Sequence, residues 1–411
     1  MLTMPSDNEQ LIPFLEEKLG QSQGAGKSKQ LDKTDNIPLY IRGHFLYPNN
    51  AFQGALNCWT DVGVPKTTLF DQGNEFPDAV VLDAYGIGYL AVTDLAQRML
   101  DIGIKFILPA ATKEALSLWV KEISDQNFML MGLTEEGKLF RTTAKDIQQR
   151  SGHSLRALRL ILENASVAHP VLHDAVLEIY SIRNGIDSTV YDAMQLSIAN
   201  GISWLCMDGA FASLHKSNQY EIANAQAIIT RAMAASNSFD FDHKRHGLLL
   251  YSLGTLPLPL TYSEIHHLAA HPNAMAGFIL FKIIQNHGNQ IFVGDEKPLF
   301  LLNVIQLHLN SRYHSGKSHV ATWPTYTPCM DYTDHVFNYG IKLFLDSYRE
   351  GSIELRLAMA LNHMGAACGI YHRFLEFIIS HFLNFARGHF MDVNAIKVNL
   401  QSLVSHQESE S

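Results

Sequence analysis

The chain has 411 residues, a length that suits two or three domains. Its hydrophobic content of 47% and charged content of 17% are typical of globular proteins and exclude an intrinsically disordered chain. The net charge of −9 excludes a protein that is basic all over, so a nucleic-acid partner would have to be attracted by local basic patches.

Cysteine usage and the N-terminal sequence both bear on the compartment. The four cysteines are scattered and form no CxxC pair, which indicates reduced thiols and not a disulfide framework or a zinc ribbon. Residues 1–19 contain several acids and lack the basic and apolar regions of a signal peptide. No apolar stretch is long enough to span a membrane. We therefore expect a cytoplasmic protein without membrane association.

The first predicted region, residues 1–36, combines a short helix with a flexible linker. Residues 8–19 have an amphipathic pattern, and residues 20–36 are rich in Gly, Ser, Gln, Lys and Asp. The sequence Gly-Ala-Gly-Lys-Ser at 24–28 is similar to part of a phosphate-binding loop. However, Gln21 stands where that pattern needs its first glycine, so we do not expect a nucleotide site here.

Residues 37–220 alternate between strand-like and helical patterns, which predicts an α/β domain around a parallel sheet. In such sheets the functional site lies beyond the carboxyl ends of the strands. Asp83 and Asp208 each follow an apolar strand-like run, so both are expected at that edge. The predicted strands cover 79–82, 104–108 and 202–207, and the predicted helices cover 87–101, 111–124, 154–164, 172–182 and 188–200.

An insertion at 128–169 interrupts this alternation and carries a local excess of basic residues. A hairpin is predicted around the turn at 134–137, followed by a helix that Thr143 caps. Two interpretations stay open, a solvated helix face or a ridge that contacts RNA phosphates. The candidate RNA-contacting residues are Arg141, Lys145, Arg150 and Arg156.

Beyond residue 220 the strand patterns fade, and we expect a mostly α-helical domain over 221–405 with a polar tail at 406–411. This domain would regulate the first one, recruit substrate, bind a regulatory protein partner or mediate self-association. The sequence at 311–319 is interpreted as a basic loop, either simply exposed or in contact with RNA or a partner. The predicted helices lie near 219–236, 274–286, 298–310, 333–349, 352–366 and 369–387.

Four acids stand at strand ends or in helices that follow strands, and this arrangement suits a divalent metal site. They are Asp83, Glu114, Asp192 and Asp208. Mg²⁺ and Mn²⁺ prefer oxygen ligands, and clustered carboxylates supply both the charge and the geometry. A cation held in this way can orient a water molecule and stabilise charge on a scissile phosphate. The pattern therefore indicates metal-assisted phosphodiester hydrolysis.

Four segments, taken together, resemble the motifs of the PIN-domain ribonucleases. The run 79–84 is similar to the first strand of that family with its first acid, and 106–116 to the helix that presents a glutamate. The stretch 191–199 resembles the motif with an aspartate on a helix of small residues. The stretch 204–211 resembles the final strand, which ends in aspartate before an aromatic residue. The insertion at 128–169 departs from the compact members of the family.

This resemblance implies a PIN-like fold with a central parallel sheet, followed here by the helical domain. It implies an endoribonuclease dependent on Mg²⁺ or Mn²⁺, with Asp83, Glu114, Asp192 and Asp208 as catalytic metal ligands. Ser188 would cap the helix of the third motif. Asp187 would be either an auxiliary acid or a favourable charge at a helix N-terminus. Cleavage of DNA stays open. The alternative is a non-catalytic sensor or binding protein on a PIN-like scaffold.

Two other kinds of site have weaker patterns in the C-terminal half. Arg356 and His363 have a spacing like that of the metal-independent helical HEPN-type ribonucleases, but Leu357 replaces the polar residue expected after the arginine. His267 and His271 are four positions apart, as in zinc sites, but the glutamate of the zinc-protease pattern is absent beside them. We expect neither site.

Overall fold

A computed structural model describes residues 37–47, 50–61, 68–133, 138–169, 182–235, 241–294, 297–320, 332–368 and 371–410. The predicted features of residues 1–36, and all but the last residue of the helix predicted at 172–182, lie outside these ranges. The chain divides into two compact units. The first comprises Met1–Leu250 and Gly254–Pro259, and the second comprises Tyr251–Leu253 and Leu260–Ser411.

The first unit is built on a parallel sheet in which the middle position belongs to β2 (Lys105–Pro109). It pairs on one side with β1 (Ala79–Val81) and on the other with β5 (Ser166–Ala168). β1 and β2 are buried apolar runs at the positions that the sequence predicts, as is usual when helices cover a parallel sheet. The predicted α/β class with a parallel sheet is confirmed.

The strand predicted at 202–207 is reduced to isolated bridges at Trp204. This residue bridges Val81 in parallel on one side and Ile222 in parallel on the other. The backbone N–H of Leu205 donates to the Val81 carbonyl at 3.0 Å, and that of Ala223 donates to the Trp204 carbonyl at 3.0 Å. The sheet edge therefore continues through these segments, and it brings the chain after Trp204 beside the end of β1.

Helices surround this sheet, and polar side chains cap several of their N-termini. The helix predicted at 87–101 is instead two helices, because Asp94 adopts a left-handed conformation (φ 59°) that ends the first one. The helices of this unit are α1 (Leu39–Leu46), α2 (Ala51–Thr60), α3 (Ala84–Thr93), α4 (Ala96–Asp101), α5 (Ala110–Ser124), α6 (Ala144–Asn164), a short 3₁₀ helix (Arg183–Gly185), α7 (Ser188–Asn200), α8 (Gly209–Ser217), α9 (Ala225–Ala234) and most of α10 (Phe241–Ser252).

The insertion forms the predicted hairpin and capped helix. Strands β3 (Met129–Leu133) and β4 (Leu139–Thr143) pair antiparallel, while the turn at 134–137 lies outside the described residues. Thr143 and Asp146 form a reciprocal capping box at the start of α6. The helix kinks at Ser151, whose φ of −129° is not helical. The helix predicted at 154–164 is thus the second part of a longer one.

The second unit consists of helices in its described part. The predicted loop at 311–319 is wrong, because these residues continue a helix that Ser311 anchors by donating to the Ala270 carbonyl at 2.7 Å. The predicted polar tail is also helical as far as Glu410, after a start that Asp392 caps by accepting from Asn394. The helices are α11 (Tyr262–Ala270), α12 (Ala274–Ile291), α13 (Lys297–Val320), α14 (Thr333–Ser347), α15 (Ile353–Ala366), α16 (His372–Gly388) and α17 (Val393–Glu410).

The division between the units falls later in the chain than the boundary at 220 that the sequence suggests. Ile222 and Ala223 belong to the sheet of the first unit through their backbone contacts with Trp204, and α9 follows in the same unit. Among the described helices, none combines the length and the apolar character that crossing a bilayer requires. The regulatory role expected of the second unit stays a prediction.

Candidate functional site

Asp83 lies at the carboxyl end of β1 and has no exposed surface. One carboxylate oxygen, Oδ1, accepts the backbone N–H of Gly86 at 2.8 Å and so caps α3. The other, Oδ2, accepts the Tyr40 hydroxyl at 2.9 Å and the Trp204 indole N–H at 3.0 Å. Both oxygens are therefore engaged by donors from the protein itself.

Burial raises the pKa of Asp83 from its ordinary value of 3.8 to about 6. The hydrogen bonds from Gly86, Tyr40 and Trp204 act in the opposite direction, since they favour the charged form. At neutral pH the group is thus a buried anion that depends on its three donors. An uncompensated charge at this position would be costly.

Asp208 is the second buried acid of the site and caps α8. Its Oδ1 accepts the backbone N–H groups of Ala210 at 2.9 Å and Phe211 at 3.3 Å. Its Oδ2 accepts the backbone N–H of Tyr40 at 3.2 Å. Burial raises the pKa of Asp208, while these backbone hydrogen bonds and one from Leu39 lower it. Asp208, like Asp83, is therefore satisfied by donors that include α1.

Tyr40, in the first turn of α1, joins the two acids. Its hydroxyl donates to Asp83 and accepts the backbone N–H of Met207 at 2.8 Å, while its own backbone N–H binds Asp208. The ring is fully buried, with its centroid 4.4 Å from that of Tyr85 and 5.4 Å from that of Phe211. A single residue thus holds Asp83 and Asp208 together at the carboxyl edge of the sheet.

Asp187 and Asp192 lie at the start of α7. Asp187 is the N-cap and accepts the Thr189 backbone N–H at 2.7 Å, so the expected cap at Ser188 is wrong, since Ser188 is the first helical residue. The Thr189 hydroxyl in turn accepts the backbone N–H of Ala84 at 3.3 Å, which ties α7 to the end of β1. Burial raises the pKa of Asp192, as does the charge of Asp187, while Arg183 lowers it.

Glu114 lies apart from these acids. It is exposed on α5, where it lines a shallow surface pocket of about 410 Å³ with Lys113 and Glu163. The inward side of the helix carries Thr112 and Leu116 instead. The helical register therefore directs Glu114 away from the sheet, contrary to the expected convergence of all four acids.

The described conformation does not fit a divalent cation. Within the described ranges, no three His, Cys, Asp or Glu side chains approach one another closely enough to hold a metal ion. In addition, the oxygens of Asp83 and Asp208 already accept protein N–H and O–H groups, and neither residue has exposed surface. The metal-ligand roles of Asp83, Glu114, Asp192 and Asp208 stay predictions.

The candidate RNA-contacting residues are all on the surface. Arg141, Lys145, Arg150 and Arg156 are exposed along β4 and α6. Hydrogen bonds from Thr143 lower the pKa of Asp146, and the charges of Arg150 and Arg141 add to this effect. The Asp146 carboxylate therefore offsets part of the positive charge of this surface. Contact with RNA stays a prediction.

The residues of the HEPN-like pattern have structural partners in the second unit. The Arg356 guanidinium donates to the carbonyls of Leu345 and Tyr348, the latter at 2.9 Å, at the end of α14. The His363 Nε2 lies 2.9 Å from Asn303 Oδ1. These contacts hold helices together, as expected for side chains with a packing role.

Comparison with known families identifies the region that contains the buried acids. Residues 81–217 match the family model PIN-TPR-GreABC, a PIN domain associated with the TPR-GreAB-C-PIN system. This segment is a PIN domain. It spans a third of the chain and includes the four predicted acids, but the PIN domain match does not include α1 with Tyr40. Comparison with curated proteins gave no significant match. Comparison with solved structures gave none either.

Sequence reasoning missed the residues that contact the acids of the PIN domain. Tyr40 and Trp204 are 43 and 121 positions from Asp83, so no local pattern connects them. Thr112 is also buried, and its hydroxyl has no hydrogen-bond partner within the described part of the chain. Its position just after a strand could have marked it as an inward residue of the second motif.

Proposed function

We propose that this chain is an endoribonuclease of the PIN class that depends on Mg²⁺ or Mn²⁺. PIN domains are generally nucleases that use divalent metals. The observation that supports the proposal is that Asp83 and Asp208 lie together at the carboxyl edge of the parallel sheet, inside the matched segment. Asp187 and Asp192 lie at the start of α7, which Thr189 ties to the end of β1.

Glu114 lies apart from the other acids, on the exposed face of α5. As a surface residue beside Lys113 it could join the other acids only after a change of conformation. We keep Glu114 as a proposed ligand on the strength of its place in the second motif. Asp83 and Asp208 are the stronger candidates, because tertiary contacts already bring them together.

Substrate binding is assigned to the exposed basic side chains of β4 and α6, which include Arg141, Lys145, Arg150 and Arg156. Phosphate contacts of this kind supply affinity without sequence specificity, and they weaken as salt is added. A protein with a net charge of −9 would need such a local patch to attract RNA. Single-stranded DNA is the alternative substrate of the same site, and it is assayed beside RNA in the experiment below.

The description of the matched family also bears on possible partners. The PIN-TPR-GreABC family is associated with a TPR-GreAB-C-PIN system, which suggests interactions with proteins or nucleic acids. We propose that the second unit provides the surface for such a partner or for self-association. A cytoplasmic setting, with a role in RNA processing, defence or toxicity, would suit an RNase under this kind of control.

A non-catalytic scaffold is the second candidate function, and one observation favours it. The carboxylates of Asp83 and Asp208 are saturated by internal donors, as structural acids would be. In that case the acids would serve to cap α3 and α8, and the second unit would carry a sensing or binding function. Such a protein would neither bind Mn²⁺ nor cut RNA.

The test is RNA cleavage by the full-length protein with Mn²⁺ or Mg²⁺, with single-stranded DNA assayed in parallel. Asp83→Asn and Asp208→Asn should each lower the cleavage rate by at least ~100-fold, since a direct ligand matters at least as much as its supporting shell. Asp101→Asn, at an exposed aspartate paired with Arg98, is the matched control and should keep full activity. Full cleavage by both site variants would show that the site assignment is wrong.

Metal-induced stabilisation separates the two candidate functions. A cation that binds only the folded protein raises its unfolding temperature by mass action. The nuclease should show this shift with Mn²⁺, at least at high concentration, and the scaffold should show none. Absence of both the shift and cleavage would favour the scaffold.

A further inference from the structure

The eight-residue helix α1 occupies the position where the predicted metal site should be open. Tyr40 has no exposed surface, and its hydroxyl and backbone N–H contact Asp83 and Asp208 at 2.9 and 3.2 Å. Leu39, the preceding residue, is buried as well. The donors of α1 thus take up oxygen atoms of both acids.

These donors and a cation would compete for the same oxygens. A carboxylate offers a limited number of lone-pair directions, and Asp83 already accepts three donors, from Gly86, Tyr40 and Trp204. Gly86 belongs to the helix that Asp83 caps, so its N–H is part of the PIN domain. Tyr40, in contrast, reaches the acid from outside the matched segment.

We propose that α1 is an autoinhibitory plug, which closes the acid site through Tyr40 and must leave it before a divalent cation can bind. This inference rests on the proposed function, because a plug needs a metal site to close. It accounts for the finding that oxygens of Asp83 and Asp208 already accept donors from α1, although both acids belong to the matched PIN segment.

The short length and weak capping of α1 make it the element that can move. A helix of eight residues is marginal by itself, so packing must hold it in place. Within this helix no acid occupies the first turn, and its N-cap, Pro38, provides no side-chain hydrogen bond. By comparison, α3 and α8 are capped by the side chains of Asp83 and Asp208, and β1 is paired with β2.

Gly43 offers a way to weaken the plug without touching the acids. A β-carbon at this position would overlap the Tyr85 hydroxyl, so Gly43→Ala should force α1 away from α3. Tyr85 also donates a hydrogen bond to the Tyr40 carbonyl at 3.3 Å, which the same displacement would break. Gly152→Ala in α6 is the matched control, because a β-carbon there would meet no atom within 4 Å.

The second variant, Tyr40→Phe, removes the hydroxyl and keeps the ring. It frees one acceptor position on the Asp83 carboxylate but leaves the N–H of Met207 without its acceptor. The two variants therefore weaken the closed state by different physical means. Circular dichroism and thermal unfolding are used to check that each variant is folded.

The experiment measures Mn²⁺ binding to the full-length proteins by calorimetry, and amide hydrogen exchange of residues 39–46 by mass spectrometry. Gly43→Ala and Tyr40→Phe should each bind Mn²⁺ at least ~10-fold more tightly than the wild type, because affinity rises with the population of the open state. Mn²⁺ should speed exchange of residues 39–46 in the wild type. Gly152→Ala should match the wild type in both measurements.

Different results would overturn different conclusions. If the wild type binds Mn²⁺ as tightly as both folded variants, with exchange of residues 39–46 unchanged, the plug is wrong and the proposed nuclease stands. If no protein binds Mn²⁺ or cuts RNA, even where exchange shows α1 released, the proposed function is wrong and the plug proposal ends with it. Tighter binding in the variants supports both.

Discussion

Replacing Asp83 with asparagine should change how the stability of the first unit depends on pH between about 4 and 6. The carboxyl group is fully buried, and burial raises its pKa from 3.8 to about 6. Asparagine has nearly the same shape but does not titrate. The comparison therefore isolates the free energy of ionising this one buried group.

The direction in which the free energy of unfolding changes with pH follows from proton linkage. Between pH 3.8 and about 6 the folded protein keeps the proton on Asp83, whereas the unfolded chain has lost it. The folded state then binds more protons, so the free energy of unfolding falls as pH rises through this window and levels off above it. A difference of about two pKa units corresponds to roughly 3 kcal/mol at 1.36 kcal/mol per unit.

Guanidinium unfolding of the wild type and Asp83→Asn, at pH values from 4 to 7.5, measures this difference. Fluorescence is a suitable signal, since the indole of Trp204 donates directly to the carboxylate at 3.0 Å. In the folded wild type the fluorescence itself should titrate near pH 6, and the variant should lose this transition. If the stability difference between the two proteins were constant across the window, the reasoning about burial would be refuted.

Two further substitutions test other contacts. Trp204→Phe removes one donor from Asp83, so it should destabilise the protein by about 1–3 kcal/mol at pH 7 and by less at pH 5, where the carboxyl is protonated. Denaturant unfolding at both pH values checks this against Trp119→Phe, and equal losses at the two pH values would contradict it. Thr143→Ala breaks the capping box of α6 and should cost about 1 kcal/mol in denaturant unfolding. Its Mn²⁺ affinity should equal that of the wild type, and a changed affinity would show that the insertion is coupled to the acid site.

Elements with a strong local signal were predictable from the sequence. α7 runs from Ser188 to Asn200 as predicted, because Asp187 opens it and Gly201, with φ 62°, ends it. β1 and β2 were visible as apolar runs, and Asp83 was correctly placed at a strand end. In each case the residues that decide the structure are neighbours in the chain.

Features that depend on distant contacts were not predictable in this way. α1 has no clear amphipathic pattern, and it is buried because Tyr40 meets Asp208, a residue 168 positions away. Glu114 stands in the expected motif, but the face that α5 buries is fixed by packing around Thr112 and Leu116. The sequence could identify which acids belong to the motifs, and it could not show which of them are brought together.

The ladder that runs from β1 through Trp204 to Ile222 has a consequence for dividing this protein into fragments. A fragment that ends at residue 220 would remove the neighbour that pairs with the Trp204 backbone, and with it the cover of a sheet edge. Trp204 is also a donor to Asp83, so fraying of that edge would spread to the acids. A fragment of this chain that keeps the PIN domain intact should therefore extend through Pro259, where the first unit ends.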